Sequence, residues 1–537
     1  MGTEQLLERR NAMKPIDRYD VVICGGGLAG LTLSRQLKRT MPELSVLVLE
    51  RTGGDIPDGA YKVGEATVEG GAHYFTEQLG LTGYFNKHHL HKLGLRLFFG
   101  DQHGPFEARP EIGARRFARV PSYQIDRGIF ERDLRRGAKD LGIDLIEQAK
   151  VVDVDLAQGD DDHVITYEVA GGEERSVRAR FVADASGRGK LIQRKLGLGA
   201  PSPHKINAAW WRLRGEYDVE EMAGPTSPTW RPKTQERRWF STNHLMGTGY
   251  WVWMIPLSSG NTSIGIVTDE RYHPFRTYST ETKARQWIAE HEPTLAKFTE
   301  QAELLDFLVL RNASYSSTQA FSHNRWACVG EAAVFLDAFY SPGSDYIAYT
   351  NTITTRLIEL DRKGRLTEDV AQSYNRLLLE DLWPNYLQMY HDNYSIFGHA
   401  PAMFTKVMWD TSFYWALPSQ MLFRGLLTSP DAAAEFHPIA SRFFGIQSRM
   451  QANFRAFAAQ APQPEKYLFV EYSKVPICAQ LHLDLLTDKT ATQTFADMRR
   501  NVDRLEAWAD SFEQEIATRI DLPQRDPAES ALQATAQ

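Results

Sequence analysis

No part of this chain narrows its fold as much as residues 19–51, which read YDVVICGGGLAGLTLSRQLKRTMPELSVLVLER. Val21, Val22, Ile23 and Cys24 predict a short strand buried on both faces. Gly25-x-Gly27-x-x-Gly30 follows at once, and Ala29, Leu33 and Leu37 then fall on one helical stripe. Leu44, Val46, Leu47, Val48 and Leu49 predict a second buried strand, with Glu50 at its end and Arg51 next to it. Each part meets a physical need. The first glycine permits a tight turn, the second lets backbone approach a pyrophosphate, and the third allows close packing of helix on strand. The helix N-terminus offers unpaired N–H groups to phosphate. Glu50 can accept from both hydroxyls of a ribose, and Arg51 is a further candidate contact. A strand–turn–helix–strand unit with a terminal acid at this spacing predicts dinucleotide binding.

The rest of the composition excludes more than it selects. At 537 residues the chain can hold about three domain-sized units at most. A net charge of −7 gives no support to nucleic-acid binding. Three cysteines, Cys24, Cys328 and Cys478, cannot build a disulfide framework and fit a reducing cytoplasm. Cys24 and Cys328 lie in apolar strand-like runs and read as small buried hydrophobes. The first eighteen residues lack the apolar core of a signal peptide, and no apolar run reaches the length of a membrane span. The histidines show no metal-ligand spacing, there is no GxSxG for a serine nucleophile, and no solenoid period is evident.

The predicted organisation is α/β: a doubly wound nucleotide-binding domain over 18–200 and 318–365, an inserted, mostly antiparallel sheet over 201–317, and a helical cap over 366–522. Residues 1–17 and 523–537 read as flexible tails. Asp126 is expected to cap a helix running to Leu141, with Gly142 as its stop and Ile143 opening another strand. The segment 93–100 reads as a strand of the first domain. Alternation from Lys150 to Phe181 predicts antiparallel strands. Arg238–Asn243 and Tyr250–Leu257 flank a hairpin turn. Residues 281–308 read as one or two helices, and a helix is expected over 346–362.

Two further strand ends carry chemistry. Phe181-Val-Ala-Asp184-Ala-Ser-Gly ends in a small polar turn, the place where doubly wound sheets hold ligands, so Asp184 is a candidate cofactor contact. In Trp326-Ala-Cys-Val-Gly330-Glu331, the acid follows a glycine at a strand end and can bind the ribityl chain of a flavin. The segment Phe335-Leu-Asp337-Ala-Phe-Tyr340-Ser341-Pro342-Gly343-Ser344-Asp345 leads into a helix whose N-terminus can stabilise negative charge on a reduced flavin ring. Only one glycine-rich fingerprint is present, so a reducing nicotinamide has no fold of its own here.

The ordered set GxGxxG, Gly64-Glu65-Ala66-Thr67-Val68, Trp251-x-Trp253-x-Ile255-Pro256 and Gly330-Glu331-Ala-x-x-Phe335-x-Asp337 resembles the flavin-dependent halogenases from about residue 18 to 360. The tryptophan-containing motif is the most specific of these. The resemblance implies FAD, reduced by a separate flavin reductase, which with O₂ gives a C4a-hydroperoxide. Chloride or bromide then gives hypohalous acid, which passes through the protein to an electron-rich aromatic substrate, free or tethered to a carrier protein, where a lysine positions it. It also implies that Ala66 lies on a flavin-covering strap flanked by Lys62 and Glu65, and that Arg127 reaches the flavin phosphates.

Three departures from the family pattern bear on chemistry. The phenol-acting pattern places Lys92 at the catalytic lysine, whereas the tryptophan-acting pattern puts Arg96 there. Arginine stays charged and is a poor partner for an electrophilic halogen. Tyr340 replaces a glutamate of the tryptophan-acting enzymes, which argues against free tryptophan as substrate. Pro342, beside Ser341, occupies a position whose backbone N–H belongs to the family's halide site, and proline has none to give. Gly343 and Ser344 can still donate. Tyr340 and Ser341 join Lys92 and Arg96 as candidate catalytic residues. The aromatics of 386–423 pack helices or line a flat pocket, or form an apolar patch that receives a carrier protein. Hydroxylation on the same fold, and a flavin-binding scaffold, are the competing readings.

Overall fold

Strand Arg18–Cys24 runs through a parallel sheet in this computed structural model, which describes residues 17–54, 56–57, 63–100, 104–224, 227, 229–462 and 468–522. It pairs on one side with Val46–Leu49 and on the other with Glu174–Asp184, Val21 facing Val46 and Phe181. The sheet continues outward to Ile143–Ile146 beyond the first and to Trp326–Cys328 beyond the second, all in parallel. This burial on both faces is why residues 21–24 are apolar without alternation. Val21, Val22 and Ile23 are wholly inaccessible, and each contributes about 1.5–3 kcal/mol by leaving water. The antiparallel pair Lys150–Asp155 and His163–Glu168 hangs from Glu174–Asp184, as the alternation predicted.

Helix Leu28–Thr40 packs against helix Gly343–Arg362, where Asn351 donates to the Ala29 carbonyl and the Thr32 hydroxyl, each at 3.0 Å. Asp126 caps helix Arg127–Ala138 by accepting from the Gly128 and Ile129 N–H groups at 3.1 and 3.3 Å. A tight turn at 139–141 and a left-handed Gly142 (φ 68°) end it, and Ile143 opens the next strand.

The second sheet holds Leu304–Leu310, Ile206–Arg214, Asn261–Asp269, Tyr250–Pro256, Thr242–Gly247, Leu95–Phe98, Glu111–Gly113 and Phe469–Val470, in that order. Its membership corrects three expectations. Leu95–Phe98 and Glu111–Gly113 were expected within the first domain, yet they extend this sheet, and Phe469–Val470 joins from the far end of the chain. Leu304–Leu310 is a strand, not helix; a short continuous apolar run carries no period to tell the two apart. The hairpin's first strand is Thr242–Gly247, because Arg238–Phe240 is a helical turn. The helix expected from 346 begins at Gly343.

Among the described residues after Thr367 the regular elements are helical apart from Phe469–Val470, with long helices at Ala400–Ala416, Pro430–Gln460 and Ala491–Ala517. Thr490 and Gln493 form a reciprocal cap at the start of the last. All three cysteines are free and buried. Among the described residues no helix is long and apolar enough to cross a membrane. The tails 1–16 and 523–537, and Lys62, lie outside the described residues.

Candidate active site

Two cavities meet at Pro342. The larger, of about 480 Å³, lies at the carboxyl ends of the parallel strands, between the two sheets. Gly27, Glu50, Arg51, Ala66, Arg127, Gly330, Glu331, Ser341, Gly343 and Ser344 all line it. Glu50 is already oriented: Oε2 accepts from the Gly26 N–H at 2.6 Å, and Oε1 accepts from the Thr52 N–H at 2.8 Å. Arg127 is held by Glu131 at 2.5 Å and donates to the Val63 carbonyl at 2.7 Å, which ties the strap to the cavity wall. Glu331 pairs with Arg188 at 3.2 Å.

Two of the three fingerprint glycines and Asp184 lie off the cavity. A Cβ on Gly25 (φ 123°) would fall 2.4 Å from the Ala185 carbonyl oxygen, and one on Gly30 would fall 1.9 Å from that of Gly25. These glycines permit turn and packing, and Gly27 alone of the three faces the cavity. Asp184 does not line it either. Its buried carboxylate accepts from the Ser186 and Ile192 N–H groups at 3.0 and 2.9 Å, so it holds the turn that shapes the wall.

The cavity fits a flavin dinucleotide. A Cβ on Gly343 would meet nothing within 4 Å, and the buried Ser344 hydroxyl has no partner. In helix Gly343–Arg362 the N–H groups of Asp345 and Tyr346 turn back to the Pro342 carbonyl, and those of Gly343 and Ser344 precede the first such bond. Tyr340 and Ser341 sit just before, both left-handed (φ 67° and 58°). Two successive non-glycine residues in that region cost about 1–2 kcal/mol each. The consequence is geometric: Ser341 faces the large cavity while Tyr340 faces the small one.

Trp251 and Trp253 lie on one face of their strand, ring centroids 5.6 Å apart, against the large cavity. Trp251 is fixed by a chain that reaches the cap. Its indole N–H donates to the Tyr394 hydroxyl at 2.9 Å, which donates to Asp337 at 2.8 Å, where the His204 Nε2–H also donates at 2.7 Å. Glu65 lines the cavity and accepts from the buried Arg212 at 2.8 Å, leaving Oε2 unpartnered; burial pushes its carboxyl above the usual range. His244, which sequence reasoning missed, also faces it. Burial pushes this imidazole down to about 3, so it is neutral, and Nδ1–H donates to the Arg96 carbonyl at 3.1 Å. One histidine in an alternating strand carries no signal that could have marked it.

The smaller cavity, with about 50 Å³ of free space, is walled by Lys92, Tyr340, Asp345, Tyr386, Tyr414 and Tyr472 among others. Lys92 is 3% exposed, and its ammonium donates to the Thr67 carbonyl at 2.8 Å. Burial pushes it down to about 8, against the pull of Glu69 and Asp345. The Tyr340 hydroxyl donates to Asp410 at 3.0 Å, and Asp410 also accepts from Lys406 at 2.5 Å.

Arg96 belongs to neither cavity. It is fully buried, bonded to Glu111 and to the Ala114 carbonyl, and Glu111 also takes Arg238 at 2.9 Å. Its place in the alternating strand Leu95–Phe98 points it at its sheet neighbours, so it is a structural ion pair and not a catalytic group.

The model of the tryptophan halogenase family matches residues 102–382, and that of the NAD(P)-binding Rossmann-like domain matches residues 23–88. The flavin-dependent halogenase chlA of Dictyostelium discoideum is 27% identical over 437 residues, 75% of this chain and 70% of its own length. The 1H-pyrrole-2-carbonyl-[peptidyl-carrier protein] chlorinase of Pseudomonas fluorescens is 23% identical, over 70% of this chain and 83% of its own. In fold, the crystal structure of halogenase PltM matches with a TM-score of 0.63 at 17% identity, covering 91% of this chain and 96% of that one. The chain belongs to the tryptophan halogenase family, is a flavin-dependent halogenase, and takes FAD as its cofactor.

Proposed function

We propose that this halogenase transfers halogen to a phenol-type aromatic ring held beside Lys92. Bound FAD, reduced, supplies with O₂ and chloride or bromide an electrophilic halogen as hypohalous acid. The chain's own residues do the rest. Glu50, Arg51, Gly27, Ala66 and Arg127 hold the dinucleotide; Gly330 and Glu331 flank its ribityl chain. The Gly343 and Ser344 N–H groups and the Ser344 hydroxyl receive the halide, in place of the donor that Pro342 lacks. Trp251 and Trp253 keep the acceptor ring away from the flavin. Lys92 then hydrogen-bonds the hypohalous acid and gives its proton to the departing hydroxide.

The observation that carries this reading is a buried ammonium in a separate aromatic-walled cavity, whose lining, among the described residues, shares Pro342 alone with that of the cofactor cavity. A wall between the two sites suits a small diffusing oxidant and prevents direct contact of ring and flavin. Purified protein with a flavin reductase, NADH, O₂ and bromide is expected to brominate simple phenols, read by mass spectrometry. Lys92→Ala is expected to abolish the product while FAD stays bound. Halide-independent insertion of labelled oxygen overturns the reading.

The separate reductase is part of the proposal and rests on the single glycine-rich fingerprint. A carrier-tethered acceptor is the second reading. It is supported by the Pseudomonas chlorinase and by a 26% identical Pseudoalteromonas luteoviolacea brominase, both named for pyrrolyl groups on a peptidyl carrier protein. Halogenation of a pyrrolyl or phenolic acyl group on a phosphopantetheinyl carrier, with the free acid untouched, selects it.

A further inference from the structure

Withdrawing the hydroxyl proton of a phenol as its ring carbon bonds to halogen speeds the transfer, and no residue has been given that role above. Asp345 stands in the first turn of helix Gly343–Arg362, wholly buried, and lines the Lys92 cavity. Its two oxygens are unequal. Oδ1 accepts from the Gly71 N–H at 2.6 Å, while Oδ2 is buried with no hydrogen-bond partner. A carboxylate oxygen withdrawn from water and left without a donor is costly, and a donor brought by a ligand removes that cost. An incoming ammonium fits poorly, because Lys92 already places a positive charge in the same cavity. A neutral hydroxyl fits.

Resting on the halogenase reading above, we propose that Asp345 is the base of the transfer step, its Oδ2 accepting the hydroxyl proton of a phenolic substrate seated against Lys92. As the O–H bond breaks, its electron pair drives the ring carbon onto the halogen of hypohalous acid. The halogen–oxygen bond breaks, and the leaving hydroxide takes a proton from Lys92 to become water. The halogenated dienone then loses its ring proton to the Lys92 amine, and Asp345 returns its proton to the ring oxygen. Both side chains end as they began, and the sum is arene plus hypohalous acid to haloarene plus water.

The setting suits a base. Burial pushes the Asp345 carboxyl up to about 7, opposed by the Tyr414 hydroxyl, the Gly71 N–H and Lys92 and helped by Glu69. Tyr349 and Tyr386 also face it across the cavity wall, and burial keeps both phenols neutral. Tyr346, next to Asp345 in the helix, and Tyr390, at the end of helix Trp383–Tyr390, are likewise held neutral by burial. A base poised near the working pH gives general-base catalysis its best compromise.

Asp345→Asn is the sharp variant, because the amide oxygen can still accept from Gly71 while the amide nitrogen cannot accept from a phenol. Binding of para-fluorophenol and para-fluoroanisole to the FAD-loaded protein is followed by fluorine NMR, with no turnover. The native protein is expected to bind the phenol at least about tenfold tighter than its methyl ether above pH 7, and to lose that preference as pH falls through about 7. Asp345→Asn is expected to bind both equally, and Lys92→Met to keep the preference. In bromination assays the variant is expected to lose the acidic limb of the pH profile. Equal binding of phenol and ether by the native protein, or an unchanged acidic limb in the variant, overturns the proposal. The native titration decides alone if the variant does not fold. Failure of the native enzyme to brominate any phenol instead sinks the halogenase-on-phenol reading, which separates the two.

Discussion

The two cavities are built in opposite ways. The cofactor cavity is made largely of backbone turns at strand ends, each defined by a few consecutive residues. The Lys92 cavity is made of side chains from segments near 69, 92, 122, 342, 386, 414 and 472, and no two neighbouring walls are close in sequence. The first binds by shape and backbone N–H groups, so its chemistry survives substitutions that spare the glycines. The second works through a few buried charges, so its chemistry depends on single atoms. Lys92 and Arg96 sharpen the contrast. Both are buried and four residues apart, yet Arg96 is fully occupied by Glu111 and a carbonyl, whereas Lys92 has one carbonyl and a cavity. A buried cation that is settled stabilises structure, and one left unsettled is available for chemistry.

The strongest way to break this comparison is Lys92→Met. Turnover is expected to fall by about 10²–10⁴-fold, the usual worth of a positioned acid. FAD affinity, read by flavin fluorescence, should not move; a parallel loss would mean that the cavities are not independent. Gly30→Ala should do the reverse. Its Cβ would press on the Gly25 carbonyl, so FAD retention is expected to be lost first, by about 5- to 150-fold given an overpacking cost of some 1–3 kcal/mol. Arg96→Met is expected to cost about 3–5 kcal/mol of stability, because Glu111 and Arg238 remain buried with their network broken. Turnover per folded molecule should stay near normal; a selective loss of chemistry would return Arg96 to the site.

The mildest effect is on stability against pH. The Lys92 ammonium titrates near 8 in the folded protein against 10.5 when exposed. Below pH 8 the folded state carries the charge at a cost of up to about 3 kcal/mol, from 1.36 kcal/mol per pH unit. Between pH 8 and 10.5 the unfolded chain holds more protons, so native stability gains with pH and the cost fades. Lys92→Met is therefore expected to melt higher than native at pH 7, with the gap closing toward pH 10.5. A gap that is constant with pH would mean that burial does not move the Lys92 ammonium from its exposed value.

How much of this was legible in the sequence follows from the same contrast. The glycine turn, Glu50 and the Asp126 cap could be read because local spacing enforces their geometry, whereas Arg127 came from the family resemblance. The turn role of Gly25 and the packing role of Gly30 were legible in the same spacing, whereas Asp184 was assigned to the ligand and instead holds the turn beside it. Leu95–Phe98 was read as a strand, but its sheet was set by pairing with Thr242–Gly247, far along the chain. Asp345 and His244 were not singled out at all, since their function arises only where distant elements converge. Lys92 was found by resemblance to a family pattern, not from its own surroundings.

Phe469–Val470 pairs with Glu111–Ile112, and Tyr472 follows immediately to complete the wall around Lys92. Synthesis therefore finishes the two halves of the enzyme in order. Every described residue that lines the cofactor cavity is synthesised by residue 347, more than a hundred residues before Tyr472 of the acceptor chamber. A chain clipped before Phe469 would lose a wall of the acceptor chamber and none of the described residues that line the cofactor cavity, so the end of the chain bears more directly on selectivity than on flavin loading.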